Sequence, residues 1–596
     1  MGLPLQALAL IAVTALVLPF PSIAGRGAIT ATYAEKPGGG TGATSQRPVF
    51  LWGAATSSYQ VEGNITNNDF NFFNSSPQIK ERVGGGTNNM QPAGEADREW
   101  DPQYYLKDFD NAKSLGLNSY RLSLEWSRIE PQKGVWDQSA IEHYRQMIMA
   151  LKARGITPVV TLEHFTLPLW VLTPIVNKDC LADPVESNPS CKGEGYFKSL
   201  RGWDSNETVD EYVKYVSYVV PKLKDLVDYW LTLNEPVGVY VSLGYIVGLW
   251  SPGFVGDGAR AKVALHSLLE AHVRAYDAIS SLDDVAADRS GPAKLVGFAN
   301  AMMDLEPVHD KQETHAQNAK AAQDASYYTN DYFINAVVNG EEDQNFLNTL
   351  VEHNSSSPNF IKHPDWKNKL DFVGVNYYRR AYISYDRGIA NSSAKFLGGA
   401  FSDSLTANGQ PASMKNDLGW EIYPNGLYRI LMHIKNEWNK PIMITENGIA
   451  DGSDKHRAQY IVSHIEEMMS AIKDGANVIG YMHWSLVDNW ELQEGYRSQS
   501  HFGLFHVNRA SAAGLHKDAV QSSCGVCSRE LTAGARAYES IVLQAGYSFD
   551  EAKWENSISA AKSEFGYFNS DGTRLVQPAP VPHTPGVHPV SANFTY

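Results

Sequence analysis

The sequence predicts a single (β/α)8 barrel with long insertions in the loops that follow its strands. Eight short, β-rich apolar runs recur along the chain, helix-patterned stretches stand between them, and irregular insertions sit after several of the runs. The runs are Val49–Ala54, Leu117–Ser123, Ile156–Leu162, Val227–Leu233, Leu295–Ala301, Asp371–Asn376, Pro441–Thr445 and Val478–His483. Each is short enough for a strand buried on both faces. Between them, Ile141–Arg154, Val209–Leu223, Arg260–Ser281 and Arg457–Gly475 carry helical periodicity. The alternation of strand and helix points to a closed barrel, not an open doubly wound sheet. Insertions around 64–98, 172–203 and 384–418 would shape a pocket at the functional face.

The chain has 596 residues, of which 43% are hydrophobic and 19% charged, a globular composition. A barrel with insertions accounts for residues 48–547; residues 548–596 turn polar and then Pro-rich (Pro578 to Pro589), which suggests a C-terminal extension without its own core. Residues 25–47 are rich in Gly, Thr, Ala and Ser and read as a flexible leader. No internal repeat is visible. Net charge is −16, which argues against nucleic acid or an anionic membrane as partner. The 14 Trp and 30 Tyr fit a sugar-binding pocket, although most belong in a large core.

Residues 1–24 read as an export signal: Leu3 to Phe20 is apolar, and Ser22-Ile23-Ala24 precedes Gly25 like a small-residue cleavage site. The n-region lacks Lys or Arg, and the stretch is near spanning length, so an uncleaved membrane anchor stays open as the alternative. Six Asn-x-Ser/Thr sequons, at Asn64, Asn74, Asn206, Asn354, Asn391 and Asn593, are glycan acceptors if the protein is secreted. Export would also make Cys180 with Cys191, and Cys524 with Cys527, loop-stapling disulfides. A zinc site is the other reading of Cys-x-x-Cys, disfavoured because neither pair has a His at ligand spacing.

Chemistry concentrates at two strand-end glutamates. One run reads Tyr229-Trp230-Leu231-Thr232-Leu233-Asn234-Glu235-Pro236, the other Pro441-Ile442-Met443-Ile444-Thr445-Glu446-Asn447-Gly448. Each puts a Glu at the C-terminal end of a barrel strand, where barrel enzymes carry their catalytic groups. Cleaving a glycosidic bond needs two such carboxyls, one to protonate the leaving oxygen and one to attack the anomeric carbon.

Thr232-Leu233-Asn234-Glu235-Pro236 and Ile444-Thr445-Glu446-Asn447-Gly448 resemble the two catalytic signatures of family 1 glycoside hydrolases. The resemblance runs from about Phe50 to Phe505. It includes Trp52 to Gly63 (WGAATSSYQVEG), Tyr120 to Arg128 (YRLSLEWSR), Asp371 to Tyr378 (DFVGVNYY) and His483 to Glu491 (HWSLVDNWE). It implies Glu235 as acid/base and Glu446 as nucleophile. Asn234 would bind the sugar 2-hydroxyl, while Arg121 and Tyr378 would flank Glu446 and lower its pKa. Glu235 would be raised by burial and by the charge on Glu446. Gln60, His164 and Glu491 would grip the outer hydroxyls of the sugar, with Trp484 as a platform beneath it and Asn376 supporting Tyr378 or the nucleophile region. Relatives that take sugars phosphorylated on the exocyclic carbon lack the Glu491 carboxylate, so its presence favours unphosphorylated glycosides.

The resemblance implies hydrolysis in two steps with retention, from carboxyls about 5–5.5 Å apart rather than the about 6.5–9.5 Å of inverting enzymes. Two carboxyls and water complete that cycle, so no metal or organic cofactor is expected. A fungal-type extracellular β-glucosidase acting on cellobiose or plant glucosides is the expected substrate class. Transglycosylation by the same residues and a catalytically silent sugar-binding barrel are the alternatives. Silent relatives typically lose a catalytic Glu, and both are present here. Two departures bear on the glycone. Phe165 stands where Trp usually follows the strand-three His, a variant resembling certain bacterial β-glycosidases and the plant galactolipid-remodelling branch. Leu492 stands where the family often has a second Trp, so an indole donor is lost, a hydrogen bond of about 0.5–1.5 kcal/mol. Glucose, galactose and fucose therefore all stay open as glycones.

Overall fold

The computed structural model describes residues 49–83, 91–181, 189–288, 294–308, 315–345, 359–384, 400–402, 414–492, 494–509 and 527–577. Eight parallel strands close into a barrel: β1 (Leu51–Ala55), β2 (Ser119–Ser123), β3 (Thr157–Thr161), β4 (Tyr229–Asn234), β5 (Leu295–Ala301), β6 (Phe372–Asn376), β7 (Ile442–Asn447) and β8 (Val478–Trp484). Neighbours in sequence are neighbours in the sheet, and β8 pairs with β1 to complete the ring, with Trp484 opposite Ala55 and Ala55 opposite Arg121. The strands are buried almost throughout, which is why they read as apolar runs without alternation.

The outer layer consists of α1 (Pro102–Ser114), α2 (Gln138–Ala153), α3 (Asn206–Leu223), α4 (Gly258–Leu282), α5 (His315–Ser326), α6 (Tyr332–Asn339), α7 (Pro424–Glu437), α8 (Arg457–Lys473) and α9 (Ala533–Ala545). Three helices start two or three residues before the sequence expectation because a side-chain cap opens each one. Asp137 accepts from the Ser139 and Ala140 amides, Ser205 from Glu207, and Asp257 from Arg260.

Two apolar clusters follow from strand alternation. Leu51, Val159, Leu231, Ala299, Phe372, Met443 and Met482 fill the barrel interior. Trp52, Tyr120, Val160 and Tyr481 join the layer between barrel and helices. Inside the barrel Gly53 has no room for a side chain, since a Cβ would stand 2.3 Å from Met482 Sδ and 2.7 Å from the Ser119 carbonyl oxygen.

Packing of the barrel does not stop at residue 547. The segment beyond it forms α10 (Glu551–Phe565), which lies against α9 and α8. Trp554 is fully buried against Trp52 (ring centroids 5.0 Å apart) and Phe50 (4.9 Å). The expected coreless extension thus begins with a helix that shares the barrel's core; its polar sequence concealed one tryptophan that caps the outer face of β1.

Cys180 and Cys191 form a disulfide with Cα atoms 5.6 Å apart. Cys524 lies outside the described residues, as do the export signal, the leader, the Pro-rich tail, the sequons at Asn354, Asn391 and Asn593, and most of 384–418. Asn64 and Asn206 are exposed. Asn74 does not suit a glycan, because it is only 7% exposed on the helix Asp69–Ser75. Among the described residues no helix is long and apolar enough to cross a membrane.

Trp554→Ala removes the ring that covers Trp52 and is expected to cost about 3–5 kcal/mol, read as a lowered thermal denaturation midpoint. An unchanged midpoint would mean that α10 is not part of the barrel's cooperative core.

Candidate active site

Both glutamates stand at irregularities in the barrel rim. The β4–β5 pairing shifts register between Leu231 and Asn234, and the β7–β6 pairing shifts between Ile444 and Glu446. Such bulges bend a strand and re-aim its side chains. Glu235, the residue after β4, has φ of +45°, a left-handed conformation that non-glycine residues adopt only when their surroundings hold them there. Pro236 then opens a wide helical segment that ends at Val247.

Arg121 on β2 is fully buried and joins four strands. Its Nη1 donates to Glu446 Oε1 at 2.6 Å and to the Thr445 carbonyl at 3.2 Å, its Nη2 to Asn234 Oδ1 at 2.6 Å, and its Nε to Thr161 Oγ1 at 3.0 Å. Tyr378 Oη donates to the other oxygen of Glu446 at 2.6 Å. Both oxygens of Glu446 are thereby held by donors suited to an anion.

Asn376 supports the Glu446 region, as expected, and reaches Glu235 as well. Its amide donates to Glu235 Oε1 at 2.7 Å and to Asn234 Oδ1 at 3.2 Å, while its own oxygen accepts from Thr445 Oγ1 at 2.7 Å. It reaches both carboxyls, because it sits on β6 between the ends of β7 and β5. A continuous chain of contacts therefore runs Glu235–Asn376–Asn234–Arg121–Glu446.

Burial and the nearby Glu446 charge push Glu235 up to about 8, against weaker pulls from Asn376 and Arg121. Arg121 and Tyr378 lower the pKa of Glu446 as expected, yet its net direction is upward. Burial raises it, and Arg121 with Tyr378 only partly offsets that. A buried cation thus restrains the cost of ionisation here without abolishing it.

A second group of side chains faces the same mouth. Trp484 Nε1 donates to Glu491 Oε1 at 2.9 Å, and Gln60 Nε2 donates to Asn489 Oδ1 and the Trp490 carbonyl at 3.0 Å each. Gln60 lies 3.5 Å from Glu491 Oε2. His164 Nε2 sits 3.2 Å from the Asn234 amide, and its ring is nearly parallel to Trp484, with centroids 6.1 Å apart. Burial, then the charge on Glu446, raises Glu491 to about 8. All ten residues singled out from sequence gather here. Phe165 turns at a φ of +73° into a wall with Trp250, and Leu492 packs partly buried against the main core.

Sequence reasoning missed Ser57, whose hydroxyl donates to Gln60 Oε1 at 2.6 Å, and also Thr161, Thr445 and Asn489. Thr445 was visible as the lone hydroxyl of an apolar strand, a signal that could have found it, whereas Thr161 shares its strand with Thr157.

With this geometry in hand, the family model for "Glycosyl hydrolase family 1" matches residues 44–173 and 197–542. The chain belongs to glycosyl hydrolase family 1. It is 31% identical over 510 residues to a β-galactosidase of Pyrococcus woesei (77% of this chain, 92% of the relative). It is 30% identical over 485 residues to β-glucosidase A of Thermotoga maritima (79% and 94%). Among solved structures it resembles a β-glycosidase from Pyrococcus horikoshii, with a TM-score of 0.62 and 28% identity over 83% of this chain and 93% of that one. It also resembles the Thermotoga maritima β-glucosidase in complex with glucoimidazole, at TM-score 0.62 and 26% identity over 83% and 97%. These relatives are archaeal and bacterial, so they lend nothing to the expected fungal type. As a member of this glycosidase family the protein is a glycoside hydrolase, and its barrel is the family's fold.

The raised Glu235 sets a pH prediction for this glycosidase. Its carboxyl must be protonated to act as an acid, so kcat/KM is expected to fall as pH rises through about 8. A pH–rate profile checks this: in Glu235→Gln the alkaline limb should disappear.

Proposed function

We propose that the protein is a retaining β-glycosidase that releases terminal non-reducing β-D-glucosyl residues, with Glu235 as acid/base and Glu446 as nucleophile. The observation that carries this reading is the unequal provision for two buried carboxyls. Glu446 receives a guanidinium on one oxygen and a phenol on the other. Glu235 receives one neutral amide and is pushed up to about 8. Environments that push two carboxyls apart assign the acid and the nucleophile.

In the first step Glu235 gives its proton to the glycosidic oxygen while the Glu446 carboxylate attacks the anomeric carbon. The aglycone leaves as an alcohol and the sugar stays bound as an ester. In the second step the Glu235 carboxylate takes a proton from water, whose oxygen displaces Glu446 and returns the enzyme to its starting state. Asn234, fixed by Arg121, faces the sugar 2-hydroxyl, a bond that strengthens in the transition state. Gln60, His164 and Glu491 offer both donors and acceptors to the remaining hydroxyls, and Trp484 offers its ring face. The buried Glu491 carboxyl disfavours a phosphorylated glycone. A glucose-like glycone is supported by the Thermotoga relative that binds glucoimidazole, while the relative from Pyrococcus woesei is a β-galactosidase.

Export belongs to the same proposal. It is supported by the apolar Leu3–Phe20 segment, the exposed sequons Asn64 and Asn206, and the Cys180–Cys191 disulfide, a bond that persists in oxidising compartments.

Glu446→Ala is expected to lower kcat by on the order of 10,000-fold. Glu235→Ala should lose about 100- to 10,000-fold on substrates with poor leaving groups, and azide should rescue it with a β-configured glycosyl azide. Turnover of a panel of p-nitrophenyl β-glycosides, with product configuration read by NMR, tests both claims. An α-configured first product would overturn retention, and faster galactoside than glucoside turnover would overturn the glycone.

A further inference from the structure

Behind the loop that carries Trp484 and Glu491, three side chains converge that the glycosidase chemistry does not use. Asp488 Oδ2 lies 2.6 Å from His506 Nδ1 and 3.5 Å from His501 Nδ1. All three donor atoms fall within 4.8 Å of one another. We propose that Asp488, His501 and His506 form a binding site for a divalent first-row transition cation such as Zn2+, cross-linking the outgoing and returning arms of this loop.

Donor chemistry and preorganisation both support the assignment. Two imidazoles and one carboxylate are the ligand types that such cations select, with solvent completing a tetrahedron. Asp488 is only 3% exposed, and its carboxylate is already aimed: Oδ1 accepts from the Gly503 amide at 2.8 Å, while Oδ2 accepts from the Val507 amide at 3.3 Å and faces the two rings. His501 Nδ1 is buried without a hydrogen-bond partner.

The spacing needs little adjustment. Two ligands on a tetrahedral zinc with bonds of about 2.0 Å stand about 3.3 Å apart. The His501–Asp488 separation of 3.5 Å is close to that value. The His506 ring must open from 2.6 Å and give up its proton, and its side chain, 41% exposed, has the freedom to do so. Two arginines stand nearby, each with its own carboxylate. Arg457 pairs with Asp454 and donates to the His501 carbonyl, and Arg509 pairs with Asp97. Oδ2 of Asp488 itself meets the two imidazoles and the Val507 amide.

Asp488 lies between Trp484 and Glu491 in sequence, while His501 and His506 lie on the return segment, which pairs through Phe505 with Val487. A bound cation would fasten the sugar-gripping loop from outside, well apart in role from the two catalytic carboxyls.

The test is titration of the chelator-treated whole protein with ZnCl2, followed by calorimetry and by thermal denaturation. Saturable binding of one ion per chain is expected, with a denaturation midpoint that climbs with Zn2+ concentration. His501→Gln and His506→Gln should each weaken affinity by at least about 10-fold, the loss that even an outer-shell partner can cause. Co2+ should give the visible absorption of a tetrahedral site in the wild type and lose it in both variants. Undiminished Zn2+ binding in the folded double variant H501Q/H506Q would overturn the proposal, as would the absence of saturable binding in the wild type. Loss of binding in the Glu235→Gln/Glu446→Gln variant would overturn it too, by placing the ion at the catalytic carboxyls.

Discussion

The structure depends on one buried guanidinium. Arg121 is wholly removed from water, and an unpaired charge in that position would cost several kcal/mol. Its planar fork accepts partners only in fixed directions. The partners come from three other strands: Thr161 on β3, Asn234 on β4, and Thr445 with Glu446 on β7. Satisfying Arg121 therefore requires that the barrel close with β2, β3, β4 and β7 at one level. Once it does, Glu446 and Asn234 are held by the same cation. Catalytic geometry and barrel closure are one constraint.

From that centre the site divides into two electrostatic environments. Glu446 has charge and a phenol on its oxygens, while Glu235, reached by neutral Asn376, is left to burial and to the field of its neighbour. The sugar-gripping side is arranged differently, through neutral amides and an indole on Glu491. Its loop returns past Asp488, where two imidazoles meet a fixed carboxylate. Rigid supports thus stand on both sides of the site: strands beneath Glu235 and Glu446, and a polar staple behind the loop.

Much of the fold was legible because barrel strands buried on both faces leave unbroken apolar runs, and because Glu235 and Glu446 each follow such a run. The ten site residues were readable through motif resemblance; their contacts were not. Thr161 and Thr445 look like ordinary strand residues until a guanidinium is seen to need an acceptor at the first and an amide oxygen a donor at the second. Asn376 could not be assigned to Glu235 without the register that sets β6 beside β7. The upward shift of Glu446 depends on depth of burial, which sequence does not carry, and so does the buried position of Asn74. Trp554 was hidden by its polar neighbours, although it completes the core over Trp52.

The most direct test of the central claim is to trap the sugar on the enzyme. A slow substrate with fluorine in place of the hydroxyl beside the anomeric carbon, and a good leaving group, should inactivate the protein by accumulating the covalent intermediate. Peptide mass spectrometry should then find the added sugar on the peptide that contains Glu446, and find none after Glu446→Ala. A label on Glu235 or on any other residue, or turnover without a trapped ester, would contradict the account.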